Sequence, residues 1–155
     1  MALEYRILFA APAPVLSDFL LQLPVIAATH SSLVQEEQGW SIIDEKHELI
    51  FSISASKKAD YLDFSFGPYH YQSSWYIRFN TSNRFLAKDV FLGLLKHLLI
   101  TEVSKFIAIF NGELVILHKE NDHVYLNSLS GILEDSEALA NISSVEYTLA
   151  EYPVV

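Results

Sequence analysis

Phe106-Ile-Ala-Ile-Phe110, then Asn111-Gly112, then Glu113-Leu-Val-Ile-Leu-His118: this run decides the fold. Asn111 and Gly112 both tolerate the positive φ that a type I′ turn demands, and apolar residues flank them on both sides, so the run reads as a β-hairpin. A two-residue turn would set Ile109 opposite Leu114 and Ile107 opposite Ile116, with Phe110, Ala108 and Phe106 facing Glu113, Val115 and Leu117. Both faces of that hairpin are largely apolar, which places it inside a sheet covered on two sides. A polar break at 119–122 leads into Val124-Tyr-Leu-Asn127, a third strand of the same meander.

Outward from the hairpin, Arg84 to Glu102 reads as the longest helix. Thr81, Ser82 and Asn83 suit its N-cap. Arg84, Lys88 and Lys96 form a polar stripe opposite Phe91, Leu94, Leu95 and Leu98, an arc wide enough to press against a sheet. Upstream, Trp75 to Asn80 alternates with Trp75, Ile77 and Phe79 on one face. Residues 40–43 and 48–54 alternate in the same way around a turn at 44–46. Residues 2–9 form a first strand, ended by Pro12 and Pro14. Val15 to Leu23 has helical spacing and stops at Pro24. Residues 25–38 suggest a short helical piece and a strand near Ser32 to Gln35. Residues 54–62 read as a polar loop, and 64–72 as an aromatic segment broken at Gly67-Pro68. Glu137 to Asn141 suggests one or two helical turns, and Ser144 to Leu149 alternates weakly as a strand.

The expected architecture is α+β: one domain over residues 1–155, an antiparallel sheet of about six to seven strands, and two main helices packed on one face. Hydrophobic residues make up 51% and charged residues 19%. That balance fits a folded chain with a substantial core. The longest apolar runs are too short for a bilayer, and Glu4 is atypical of a secretory signal, so a cytoplasmic protein without membrane contact is expected.

The net charge of −9 is unevenly placed. Residues 1–119 hold 12 acids and 10 Lys or Arg, whereas residues 120–155 hold 7 acids and neither base. Such a segment repels nucleic acid and attracts a basic protein surface.

There is no cysteine. Disulfides and a thiol nucleophile are therefore excluded. His118, Glu120, Asp122 and His123 gather at one turn, but their spacing matches no common metal motif, and the same holds for His47 beside Glu45 and Glu48. His97 falls on the polar side of the long helix and is expected in solvent. Ser31-Ser32 follows His30 and Ser73-Ser74 lies near His70, without the strained turn of a serine hydrolase. No metal, cofactor or catalytic residue is assigned. Tyr61, Tyr69, Tyr71, Trp75 and Tyr76 cluster around His70. Core packing suits Trp75; partner contact is the alternative for Tyr69, Tyr71 and Tyr76.

The opening Met1-Ala-Leu-Glu-Tyr-Arg-Ile7, the segment Tyr76-Ile-Arg-Phe79, the long helix, and Phe110-Asn-Gly-Glu-Leu-Val-Ile-Leu117 through Val124-Tyr-Leu-Asn127 resemble the SitI3-type immunity protein family. The resemblance covers roughly half the chain, and its motifs are structural rather than catalytic. It implies a bacterial protein that binds and blocks a cognate protein toxin without chemistry of its own. The toxin surface would be basic, steered by Glu120, Asp122, Glu134, Asp135 and Glu137, with Tyr69, Tyr71 and Tyr76 as anchors. Two other functions compete. One is a small-ligand domain whose aromatics at 61–79 line a cavity between helix and sheet. The other is an enzyme in which His118, Asp122 and His123 converge.

Overall fold

The computed structural model describes residues 3–23, 32–37, 39–43, 46, 48–80, 84–101, 103–121, 123–130 and 146–153, with backbone alone for 84–89. The expected N-cap at 81–83, the helical pieces at 27–28 and 137–141, and the turn at 44–45 lie outside these residues.

Among the described residues the chain is sheet-rich with two helices. Its strands are β1 (Leu3–Phe9), β2 (Ser32–Gln35), β3 (Gly39–Ile43), β4 (Leu49–Ser56), β5 (Asp60–Phe64), β6 (Gly67–Tyr71), β7 (Ser73–Phe79), β8 (Lys105–Phe110), β9 (Leu114–Glu120), β10 (His123–Asn127) and β11 (Tyr147–Ala150). The helices are α1 (Leu16–Leu21) and α2 (Arg84–Ile100). Among the described residues, nine strands form one sheet in the order β11-β10-β9-β8-β1-β7-β4-β3-β2, and β5 pairs with β6.

This corrects the expected sheet in two respects. It has nine strands rather than six or seven, and it is mixed, because β11 runs parallel to β10. A parallel neighbour needs a long connection, and β11 follows β10 in the chain only after residues 128–146. The aromatic segment at 60–71 does not join the main sheet at all. It folds on itself as a second, two-stranded sheet, and the supposed loop at 54–62 holds the end of β4 and the start of β5.

The central hairpin forms at Asn111 and Gly112, whose φ angles are 49° and 79°. The Glu113 amide closes the turn on the Phe110 carbonyl at 3.2 Å. The register differs from expectation. Glu113 adds a third loop residue, so Phe110 faces Leu114 and Ile109 faces Val115. A bulge then leaves Ile116 unpaired, and Ala108 faces Leu117. Each insertion shifts the pairing by one, so Val115 shares a face with Ile109 and not with Ala108. Asn111 also ties the turn to β1: its N–H donates to the Glu4 carbonyl at 2.8 Å.

Alternation in the strands gives the sheet two unlike faces. On the helix side, Ile7, Phe9, Phe51, Ile53, Trp75, Ile77, Phe79, Phe106, Ala108 and Leu117 pack with Leu16, Phe19 and Leu20 of α1 and Leu94, Leu95 and Leu98 of α2. Both helices cover this one face, as expected. Trp75 sits between Phe9 and Phe19, with ring centroids 4.9 and 5.0 Å away. Each fully buried side chain of this size contributes about 1.5–3 kcal/mol by leaving water. His97 is half-buried here rather than solvated; its ring meets Phe19 edge-on at 4.9 Å.

Lys119 reaches through this layer to the end of α2. It is 8% exposed, and its ammonium donates to the carbonyls of Leu99 and Thr101 at 3.3 and 3.4 Å. Those carbonyls lie at or just past the last turn, where the helix leaves acceptors open and its dipole is negative. Lys119→Met keeps the apolar stem and removes the charge. We expect it to lower stability by about 2 kcal/mol in urea unfolding, since hydrogen bonds from a charged donor contribute about 1.5–3 kcal/mol.

Candidate functional site

Among the described residues, the other face of the sheet is covered over only part of its width. Leu8, Ile107, Ile109 and Val115 form an apolar patch where β1, β8 and β9 meet, and the β5–β6 hairpin lies across it. Alternation in the hairpin sorts its aromatics. Tyr69 and Tyr71 point down into the patch with Leu62 and Phe64 beside them, while Tyr61 and His70 pair on the outside, 5.5 Å apart. Arg6 steadies Tyr71 by donating to its hydroxyl at 3.3 Å. The guanidinium also lies 5.9 Å from the ring centre. At that distance the cation is still drawn to the ring.

The hairpin turn carries Phe66 to the edge of this roof, where it is 45% exposed. Below it lies His118 of β9. Phe66 stacks on the imidazole with centroids 5.9 Å apart and planes 6° from parallel. Tyr69 and Tyr152 meet the same ring edge-on at 5.6 and 6.2 Å, and Tyr125 lies at 6.0 Å. The two ring nitrogens are engaged: Nε2 is 3.2 Å from the Glu120 carboxylate and Nδ1 is 3.3 Å from the Tyr152 hydroxyl. A carboxylate only accepts, so Nε2 carries the proton, and in the neutral ring Nδ1 accepts from Tyr152. Glu120 is held from its far side by Lys105 at 3.3 Å.

The environment of these groups is low in water. Burial pushes the His118 imidazole below its ordinary value, against the opposing pull of Glu120 through charge and hydrogen bond. Removing a cation from water costs more here than one partly exposed carboxylate returns. Burial, helped by Glu120, raises the Tyr69 hydroxyl, which has no hydrogen-bond partner among the described residues. Burial also raises Tyr152.

Tyr152 is positioned by Asn127, at the end of β10. Asn127 is fully buried. Its amide nitrogen donates to the carbonyls of Val115 at 2.7 Å and Tyr152 at 3.1 Å, and its oxygen accepts from the N–H groups of Leu129 and Tyr152, both at 3.0 Å. One side chain thereby joins β9, the turn after β10 and the segment after β11.

The residues named from sequence are distributed as follows. Tyr69 and Tyr71, expected as anchors, are 8% and 7% exposed and hold the roof on the apolar patch beneath them. Tyr76 is exposed, and its hydroxyl is raised by a hydrogen bond to Glu4. Glu120 belongs to the His118 cluster. Asp122, Glu134, Asp135 and Glu137 lie outside the described residues. His118 and His123 do not converge: His118 faces Tyr125 across the ladder and sits under the roof, whereas His123 is exposed and stacks on Tyr125. Among the described residues, no three His, Asp or Glu side chains are placed to hold a metal ion.

Sequence reasoning does not single out Phe66, Tyr125 or Tyr152. Tyr125 alternates in step with His123 and Asn127, which hints at its face. Phe66 and Tyr152 have no such signal, because their neighbours come from distant segments.

Trp75, Phe9 and Phe19 pack together in the helix–sheet interior. Among the described residues, clefts open on either side of the 12–15 loop. One, of about 450 Å³, is lined partly by Ser56, Lys57, Ser73 and Ser74; the other, of about 380 Å³, by Asp18, Gln22 and Thr101. No helix among the described residues is long and apolar enough to cross a membrane. Comparisons of the chain with family models, curated proteins and solved structures gave no match.

Proposed function

We propose that this chain is a non-catalytic binding protein of the immunity type, acting in the cytoplasm by occluding a protein toxin with a basic surface. The observation that carries the reading is Phe66. A large aromatic ring, 45% exposed, is held at the rim of a hairpin against His118 and Tyr152. Ordered aromatics of this kind supply the few contacts that dominate protein interfaces. Glu151, exposed and next to Tyr152 in the chain, adds negative charge to the same region, where Glu120 is balanced by Lys105. Such charges favour approach by a basic partner and speed association more than they strengthen it. The resemblance to the SitI3-type family points the same way.

The test is co-expression with the product of the adjacent gene. Rescue from toxicity and co-purification are expected. Phe66→Ala should weaken the complex by about tenfold or more, as loss of a central aromatic does, with the fold retained. Toxicity that persists in the presence of the intact chain would refute the reading.

A further inference from the structure

We infer that His118 is a proton-operated latch: acidification releases the β5–β6 hairpin and the Tyr152 segment from the outer face, baring the apolar patch beneath. The inference rests on the geometry around the imidazole and does not depend on the identity of any partner.

The ring is the meeting point of three separate pieces of chain. Phe66 and Tyr69 reach it from the β5–β6 hairpin, Tyr125 from β10, and Tyr152 from the segment after β11. In the neutral ring both nitrogens are engaged without placing a charge in the site. Its Nδ1 lone pair accepts from Tyr152 while Nε2–H donates to Glu120. A second proton on Nδ1 reverses that hydrogen bond: the ring must then donate to the Tyr152 oxygen, and the phenol proton has to turn away from it. It also places a charge among aromatic rings, in a site where the side chain is only 13% exposed. A cation so poorly hydrated is costly unless the site opens.

Among the described residues, the charged and titratable groups around His118 come from four strands and from the segment after β11. On β9 there is Glu120, and from β8 Lys105 pairs with it. From β10 come Tyr125 and, beyond it, His123; from β6 comes Tyr69; from the segment after β11 comes Tyr152. Glu120 favours the charged ring, yet it is 40% exposed and already committed to Lys105, so burial prevails and the folded imidazole titrates below its ordinary value.

The sign follows. The released ring titrates near 6.5 and the latched ring lower, so the released state takes up a proton first. Above about pH 6.5 the latch holds fully. As pH falls from there to the latched value, release gains about tenfold per pH unit, and below the latched value it gains no more. What is uncovered is apolar: Leu8, Ile107, Ile109 and Val115, with Tyr69 and Tyr71 leaving them.

Hydrogen exchange on the full chain at pH 7.5 and pH 5.0, corrected for intrinsic rates, tests this. Wild type should lose protection at 60–71 and 146–153 at the lower pH, while Ile7, Phe106 and their core neighbours keep theirs. His118→Phe, which fills the same slot without titrating, should show no such change. Equal loss in wild type and H118F would overturn the inference. Should H118F not fold, the His118 ring-proton titration in wild type decides alone. A midpoint at or above 6.5 would refute the latch, and one clearly below it supports it.

Discussion

Asn127→Asp should lower stability by about 3–5 kcal/mol at neutral pH and free the segment after β11. The two side chains have the same shape, so packing is not the cause. Asp keeps the oxygen that accepts from Leu129 and Tyr152. Its second oxygen then faces the Val115 and Tyr152 carbonyls, which the amide had satisfied at 2.7 and 3.1 Å. Two buried acceptors lose their donor and confront a third acceptor, at a position with no exposure to water. Protonation of the new carboxyl would return one of the two hydrogen bonds. Its folded pKa is therefore raised, and the deficit should be smallest in acid and grow as pH rises through the unfolded carboxylate value near 3.9. Urea unfolding at pH 4 and pH 7, with Asn127→Ala as a reference, measures both statements. A loss under about 1 kcal/mol at pH 7 would show that Asn127 does not join these strands.

Gly39→Ala should lower stability by about 2–3 kcal/mol, the upper part of the range for overpacking a rigid site. A Cβ at position 39 would stand 2.2 Å from the Ile53 carbonyl oxygen and 2.9 Å from the Ser54 Cα. Both atoms belong to the backbone of β4, which is itself fixed to β7, so neither retreats as a flexible side chain would. Relief comes only by parting β3 from β4, and β2 goes with it, because β2 pairs with β3 alone. Ser41→Ala, two residues along on the same strand, meets no such obstacle and should change stability by less than about 0.5 kcal/mol. Thermal unfolding of the two variants side by side gives the comparison.

The fate of particular residues shows what sequence can convey. The turn at Asn111-Gly112 is legible because a positive φ selects those residue types directly. Its register is not, because Glu113 and the bulged Ile116 obey no residue preference of comparable strength. The strands β1, β4 and β7 are legible from alternation, as is the helix face of α2. The parallel pairing of β11 is hidden, since alternation looks the same in either direction. The site suffers most. In the aromatic segment, Tyr69 and Tyr71 alternate with His70, and sequence sets these faces apart without saying which is wet. The answer lies in Leu8, Ile107, Ile109 and Val115, whose apolar character on the outer face calls for a cover. His118 stands out in the sequence for its acidic neighbours, whereas its setting is made by rings from three distant segments.

The placement of β1 has a consequence for how the molecule comes into being. It lies near the middle of the sheet, with Leu3 against Phe79 on one side and Tyr5 against Phe110 on the other. A nascent chain emerging from the ribosome must therefore leave this strand without either neighbour until β7 and then β8 have been made. Contacts so far apart in sequence slow folding, and the apolar ribbon Ile7-Leu8-Phe9 waits unpaired meanwhile, a natural target for chaperones.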